Sequence, residues 1–363
     1  MDDDKYMEEA FELAERGRGG THPNPLVGAL LVRDEAVVGR GWHLRPGEPH
    51  AEVMALAEAG ACARGATLYC TLEPCSHYGK TPPCADALVA AGIARAVVAM
   101  RDPNPQVDGR GLEVLRRGGV AVELRDDRWA ARARNQNAPF VKYHRSGLPL
   151  VTYKAAMTLD GKVAAVGGDA RWISCLDSRR AVHELRARVD AVVVGAGTVR
   201  RDDPELTVRL SEGASPVRVI VTRDGELPAQ ARVLTTARQT PTLVVAERAS
   251  DPARRLLAAR GVELLEVGAE GGLRAALAAL AGRGLLDIML EGGPTLAGAL
   301  LAEGLIDRLL LFVAPLIVGR GAPDLFATPA VDAIVKARRL RSIEWHRLCD
   351  DLVLTGSLSE EGA

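Results

Sequence analysis

At 363 residues, 47% hydrophobic and 26% charged, the chain has the length for two ordinary domains and enough apolar content for a core in each. Its 46 Lys and Arg against 47 Asp and Glu leave a formal charge of -1, which argues against a nucleic-acid or membrane-surface partner; 4% aromatic residues argue against a base-stacking face. There is no apolar run of the ~20 residues needed to span a bilayer, no basic-then-apolar signal order in the acidic opening, and no disulfide framework in six scattered cysteines, so a cytoplasmic protein is expected.

Met7, Ala10, Phe11 and Ala14 repeat at helical spacing, so the chain opens on an amphipathic helix. Residues 27–32 and 36–41 read as strands about a turn at Asp34. A helix over 50–59, a buried strand over 66–72, a helix over 82–91, a strand over 94–100, a helix over 109–117 and a strand over 120–124 follow. That order predicts a mixed sheet sandwiched between helices. From Asp126 to Phe140 the chain turns polar and rich in Arg and Asn, and Arg145 to Pro149 reads as a linker. A second α/β series begins at Leu150, with strands at 150–156, 190–195, 217–222, 242–246, 286–290 and 307–314. Helices are expected at 177–188, 251–260, 270–282 and 295–303. Domains are therefore expected over 1–145 and 146–363. The apolar stretch from Leu309 to Val318 fits either a central strand or one that pairs across a dimer.

Three short segments carry chemistry: His50-Ala-Glu52, Glu73-Pro-Cys75 and Thr81-Pro-Pro-Cys84. Catalytic zinc takes three protein ligands and leaves its fourth position to water, and one imidazole with two thiolates satisfies that count. A carboxylate that is not a ligand must then move protons, which is the role expected of Glu52. Residues i and i+2 do not face each other on a helix, so His50 and Glu52 converge only if a helix starts near His50. Pro82 and Pro83 suit the entrance of another helix, which puts Cys84 at a helix N-terminus where thiolate is favoured. The competing reading is a structural zinc closed by His77, and it leaves Glu52 without a purpose. Cys62, Cys70, Cys175 and Cys349 lack ligand-like neighbours, and ordinary packing is expected of them.

The general nucleobase-deaminase signature is H-x-E followed by P-C-x-x-C, but Tyr78 stands where the second cysteine would fall. Pro23 to Gly28, Pro49 to Glu52, the run EPCSHYGKTPPC from Glu73 to Cys84 and DPNPQVDGRG from Asp102 resemble the deaminase half of the RibD family, bifunctional riboflavin biosynthesis proteins with this longer cysteine spacing. The resemblance implies a cytidine-deaminase-like α/β/α sandwich acting on a pyrimidine ribosyl phosphate. Asn24 is then expected at the base, with His43, His77 and Lys80 binding the rest of the substrate.

In the second half no G-x-G-x-x-G follows a strand. Gly195, Gly197 and Thr198 stand at one strand end, and Leu290-Glu-Gly-Gly-Pro-Thr295 at another, with a helix starting near Pro294. Such glycines fit either a tight turn or the close approach of a ligand phosphate. Lys154 to Gly161, Arg171 to Ser174, Val194 to Val199, Asp202 to Leu206 and Glu291 to Pro294 run in the order of the RibD reductase half. The resemblance implies a dihydrofolate-reductase-like fold that uses NADPH and pairs as a homodimer. It puts Ala156, Trp172, Thr198, Asp202, Thr222, Gly293, Pro294, Thr295 and Leu296 at the cofactor. Lys154, Arg186, Leu206, Arg209 and Glu291 are expected at the ribose phosphate, where cations suit a dianion. Ala170 stands at a substrate position where the family often carries serine. Asp202 is the expected proton donor; its other reading is a cap on the following turn. The function expected is deamination of 2,5-diamino-6-ribosylamino-4(3H)-pyrimidinone 5′-phosphate, then NADPH-dependent reduction of the ribosyl group to ribityl. The alternatives are a nucleoside or nucleic-acid zinc deaminase with an accessory domain, and a zinc-stabilised binding protein.

Overall fold

The Asp2 carboxylate accepts the Lys5 N–H and so caps α1 (Asp3–Glu15), which buries the predicted stripe of Met7, Ala10, Phe11 and Ala14. A computed structural model describes residues 2–76 and 83–358, and the chain divides between Gly147 and Leu148 into two compact units. In the first, β1 (Gly28–Arg33), β2 (Ala36–Trp42), β3 (Thr67–Cys70), β4 (Arg95–Val98) and β5 (Ala121–Leu124) form one sheet in the order β2-β1-β3-β4-β5. β1 runs antiparallel to both neighbours, and β3, β4 and β5 are parallel.

Alternation along the strands builds a core on each face. Leu30, Val32, Tyr69 and Val97 pack against α1, α5 (Arg128–Gln136) and α6 (Ala138–Ser146). Ala29, Leu31, Leu68, Cys70 and Ala96 pack against α2 (Ala51–Ala59), α3 (Cys84–Ala91) and α4 (Arg110–Arg117). The result is the expected α/β/α sandwich. α2 lies so close to β2 that a Cβ on Gly41 would meet the Ala51 carbonyl at 1.9 Å, which is why glycine stands there.

The polar stretch from Asp126 is instead α5 and most of α6; of the segment read as a linker, Arg145 and Ser146 end α6 before the left-handed Gly147, and residues 147–149 are irregular chain at the division between the two units. Their arginines are not loop residues. Arg128 pairs with Asp4 at 2.7 Å and Arg132 with Glu8 at 2.7 Å, so a basic helix face lies on an acidic one, with Trp129, Ala133 and Phe140 buried beneath.

The second unit begins with β6 (Leu150–Thr158) and continues α7 (Leu176–Arg186), β7 (Ala191–Gly195), α8 (Ala196–Asp202), β8 (Val217–Thr222), α9 (Arg232–Thr235), β9 (Thr242–Ala246) and α10 (Asp251–Arg260). Then come β10 (Glu263–Glu266), α11 (Gly272–Ala281), β11 (Asp287–Leu290), α12 (Pro294–Ala302), β12 (Arg308–Ala314), β13 (Arg341–Leu348) and β14 (Asp351–Ser357). Its sheet runs β10-β9-β8-β7-β11-β6-β12-β14-β13, parallel from β10 to β12 and antiparallel in the last two pairings. β12 is an interior strand between β6 and β14, which settles the reading of the apolar stretch at Leu309. Strands β10, β13 and β14 escaped the sequence: β10 and β13 are edge strands, and ELLE and RSIEWHRL bury too little to show an apolar period, while β14 is an interior strand the reading missed outright.

Candidate active sites

His50 ends an extended segment (φ −74°, ψ 161°) directly before α2, and Glu52 lies in that helix's first turn. This is the arrangement that lets residues i and i+2 converge. Cys84 opens α3 after Pro83, and Cys75 lies beyond β3, held by the Cys84 N–H on its sulfur at 3.3 Å and the Ala85 N–H on its carbonyl at 3.1 Å. Nδ1 of His50 lies 3.5 Å from Cys75 Sγ and 3.3 Å from Cys84 Sγ. The three ligand atoms all fall within 4.8 Å of one another.

The Cys84 thiol donates to Cys75, which pulls Cys75 down to about 4, with the His50 hydrogen bond adding to this against the cost of burial. Cys84, the donor and also buried, is pushed well up for the same reason. Both become thiolate when a divalent cation replaces the shared protons. One imidazole and two sulfurs at two helix starts therefore fit zinc in its catalytic form. Burial, then the Cys75 thiolate, raise Glu52 to about 7, the range for giving and taking a proton near neutrality.

Asn24, His43, His50, Glu52, Glu73, Cys75 and Asp102 line a cavity of about 410 Å³. The His43 ring nitrogens lie 3.2 Å from the Pro49 carbonyl and 2.9 Å from the Asn24 amide nitrogen. A carbonyl only accepts, so Nδ1–H donates to it and Nε2 accepts from Asn24. Burial lowers the His43 pKa, which keeps the ring neutral in that tautomer. His77 and Lys80 lie outside the described residues.

Sequence reasoning missed Glu73 and Asp102 although both stood inside quoted motifs. The buried Glu73 carboxylate accepts from the N–H groups of Asp102, Gly109, Gly111 and Leu112 at 2.9–3.3 Å, so it stitches the two motifs together behind Cys75. Burial first, with Glu73 adding repulsion, pushes Asp102 up to about 7. At Gly111 a Cβ would sit 1.9 Å from the Pro74 carbonyl, next to the ligand Cys75. Gly111→Ala is therefore expected to move Cys75, lowering zinc content and costing on the order of 1–3 kcal/mol as overpacking does. Metal analysis and unfolding of the variant check this; full zinc content at unchanged stability defeats it.

In the second unit, register brings the expected phosphate residues together. Leu290 pairs with Tyr153 and with Val193, which sets Glu291 beside Lys154 at the ends of adjacent parallel strands. Arg186, the last residue of α7, meets both Glu291 oxygens through Nε and its second terminal nitrogen at 2.7 and 2.9 Å, and donates to the Thr207 carbonyl at 2.9 Å. Lys154 Nζ lies 3.9 Å from Glu291. Arg209 is tied in through its backbone, which donates to Nδ1 of His183 at 2.9 Å, while its side chain reaches Thr207 and Glu205. His183 was absent from the sequence reading. Burial, then Arg186 and Arg209, lower it to about 4 and keep it a neutral acceptor.

Gly293 caps the start of α12 and lies close to Thr198, and Gly195 lies close to Leu296, so the β7 and β11 ends share one region with Pro294 and Thr295. Ala156 lies on β6, half-buried. The other expected residues are more dispersed. Trp172 is exposed under the guanidinium of Arg179 (4.0 Å), and Ala170 is exposed. The Thr222 hydroxyl donates to Asp224 at 3.1 Å. Leu206 is buried with φ 57°, and its side chain belongs to the core of the second unit. Asp202 is exposed at the end of α8, and the neighbouring Asp203 accepts from the Arg232 N–H at the start of α9 at 2.8 Å.

A zinc-type deaminase centre in one unit and a phosphate-ready cationic cluster at the ends of parallel strands in the other define a two-activity enzyme. Comparison identifies the same halves: residues 1–100 match the cytidine and deoxycytidylate deaminase zinc-binding region, and residues 149–354 match the RibD C-terminal domain. Riboflavin biosynthesis protein RibD of Aquifex aeolicus is 42% identical over 97% of both chains, and that of Escherichia coli 39% identical over 98% of this chain and 99% of the other. The RibD structure of Acinetobacter baumannii superposes with a TM-score of 0.89 at 38% identity, covering 98% of each chain. A Thermotoga maritima diaminohydroxyphosphoribosylaminopyrimidine deaminase/5-amino-6-(5-phosphoribosylamino)uracil reductase does so at 0.86 and 33%, again over 98% of each. The chain belongs to the RibD family of bifunctional riboflavin biosynthesis enzymes, with a zinc-dependent deaminase domain and an NADPH-dependent reductase domain.

Proposed function

We propose that the unit ending at Gly147 deaminates 2,5-diamino-6-ribosylamino-4(3H)-pyrimidinone 5′-phosphate, and that the unit from Leu148 reduces the ribosyl group of 5-amino-6-(5-phosphoribosylamino)uracil with NADPH. The observation that carries this is the His50, Cys75 and Cys84 cluster with buried Glu52 one helical turn inside the same cavity. Zinc held by those three residues supplies activated water at neutral pH. Asn24, oriented by His43, holds the pyrimidine. Glu52 takes a proton from the attacking water and delivers it to the departing amine nitrogen, with His77 and Lys80 on the rest of the substrate.

In the reductase half, NADPH supplies hydride when bound, and Ala156, Trp172, Thr198, Asp202, Thr222 and Gly293 to Leu296 are the proposed contacts. Lys154, Arg186 and Arg209 hold the phosphate end, with Leu206 and Ala170 alongside. Glu291, itself an anion, orients the two buried cations rather than touching the phosphate. Lys154 is better placed than exposed Asp202 to give the proton, because burial lowers its pKa and so eases transfer.

Two finer readings follow. A homodimer through the reductase unit is supported by edge strand β13, which exposes Ile343 and Trp345, and by the exposed Ile334 and Val335 of the segment before it. The described residues include no helix long and apolar enough to cross a membrane, and the six cysteines are free thiols, which supports work in the cytoplasm.

Supplied with the diaminopyrimidine phosphate, cytidine or an oligonucleotide, the enzyme is expected to release ammonia from the first alone and then to oxidise NADPH. A chelator is expected to stop ammonia release while leaving NADPH oxidation on the deaminated intermediate intact. Ammonia from only the other two substrates overturns the reading.

A further inference from the structure

Cys175 and Cys349 lie far apart in sequence and belong to neither site, yet the start of α7 and the β13–β14 turn bring them next to each other. Cys175 caps α7, with the Ser178 N–H 3.4 Å from its sulfur, and that sulfur also lies 3.7 Å from the carbonyl of Leu348. Cys349, the next residue, forms the turn between β13 and β14 with φ 53°, is exposed, and donates to Asp177 at 2.8 Å. Each sulfur therefore touches the chain beside the other. Buried Asp351 fixes this alignment from below, accepting from the Cys175 N–H at 2.8 Å and from the Ser178 hydroxyl at 2.6 Å. Core packing does not account for the pair, since one thiol is exposed and the other half-buried.

We propose that Cys175 and Cys349 form a reversible dithiol–disulfide site that exchanges with low-molecular-weight disulfides and staples the β13–β14 hairpin to the start of α7. Cys175, as the thiolate, attacks one sulfur of glutathione disulfide, breaking its S–S bond and releasing one glutathione as thiolate, which takes up the Cys175 proton. Cys349 loses its proton to solvent, attacks the Cys175 sulfur of the mixed disulfide and releases the second glutathione as thiolate, which takes that proton up. The protein thiols lose two electrons and two protons, and the glutathione disulfide gains both. Cys175 is the first attacker because Asp177 and Cys175 push the Cys349 thiol up to about 12.

The test uses the zinc-loaded full chain in graded glutathione redox buffers, followed by non-reducing peptide mapping. The expected product joins the Cys175 and Cys349 peptides, while exposed Cys62 carries only glutathione. In Cys349→Ser, Cys175 should carry glutathione instead. Closing this long loop is expected to raise the unfolding temperature of the second unit by about 5 °C or more, reversed by dithiothreitol and absent in Cys349→Ser. Glutathione on both cysteines, or reaction at neither, with no joined peptide, overturns the proposal.

Discussion

Replacing Glu52 with Gln is expected to lower deamination about 10²- to 10⁴-fold while zinc content and NADPH-linked reduction stay at wild-type levels. Glutamine keeps the shape of a side chain that is 3% exposed, so the first turn of α2 and the neighbouring His50 stay in place. What disappears is the capacity to take a proton and give it back. Glu52 is suited to both directions because burial and the nearby thiolate hold it at about 7 rather than in the ordinary carboxylate range. Ammonia release, metal content and NADPH oxidation are three separate readouts. Deamination at the wild-type rate removes Glu52 from the mechanism. Loss of zinc along with activity shows instead that its contribution runs through the ligand set.

The deaminase centre was the most legible part of the molecule because its ligands are chemically rare and its spacing is strict. His50, Cys75 and Cys84 could be named from three short segments, and the helix starts that bring them together were announced by Pro83 and the apolar run after His50. Glu73 stayed hidden for the opposite reason. Its partners are backbone N–H groups 29 to 39 residues away, and backbone donors leave no residue-type signature. The helices α5 and α6 were obscured because propensity was weighed locally, whereas Arg128 and Arg132 of α5 are satisfied by acids on α1 more than 100 residues earlier. In the second unit, interior parallel strands showed as apolar runs and their ends as glycines. The cofactor residues there are mostly ordinary types, such as Ala156 and Thr222, whose roles rested on family resemblance alone. The cationic cluster needed the register of β6, β11 and β7 before Lys154, Arg186 and Glu291 could be seen to share charge.

That shared charge sets the second large effect. Glu291→Gln is expected to destabilise the second unit by roughly 3 kcal/mol at pH 7 and to raise the reductase KM for its phosphate substrate at least tenfold. Burial alone would raise the Glu291 pKa, but Arg186 and Lys154 outweigh it and hold the carboxyl at about 2, against 4.5 for an ordinary glutamate. A carboxylate depressed in the folded state stabilises the fold fully above about pH 4.5 and loses that contribution as pH falls toward 2. The displacement from 4.5 to about 2 corresponds to the roughly 3 kcal/mol stated. Side-chain exposures of 10% for Arg186 and 11% for Glu291 leave little solvent to screen the pair. Removing the negative partner also leaves buried Arg186 and the largely buried Lys154 in mutual repulsion, the case in which breaking a buried pair costs most. Urea unfolding of wild type and variant from pH 7 down to pH 3 isolates this group, since every other carboxylate titrates in both proteins. The gap between the two curves should narrow steadily below pH 4.5. A gap that stays constant across that range means the cluster is held together by packing rather than by charge, and the assignment of Lys154 and Arg186 to a phosphate then loses its electrostatic support.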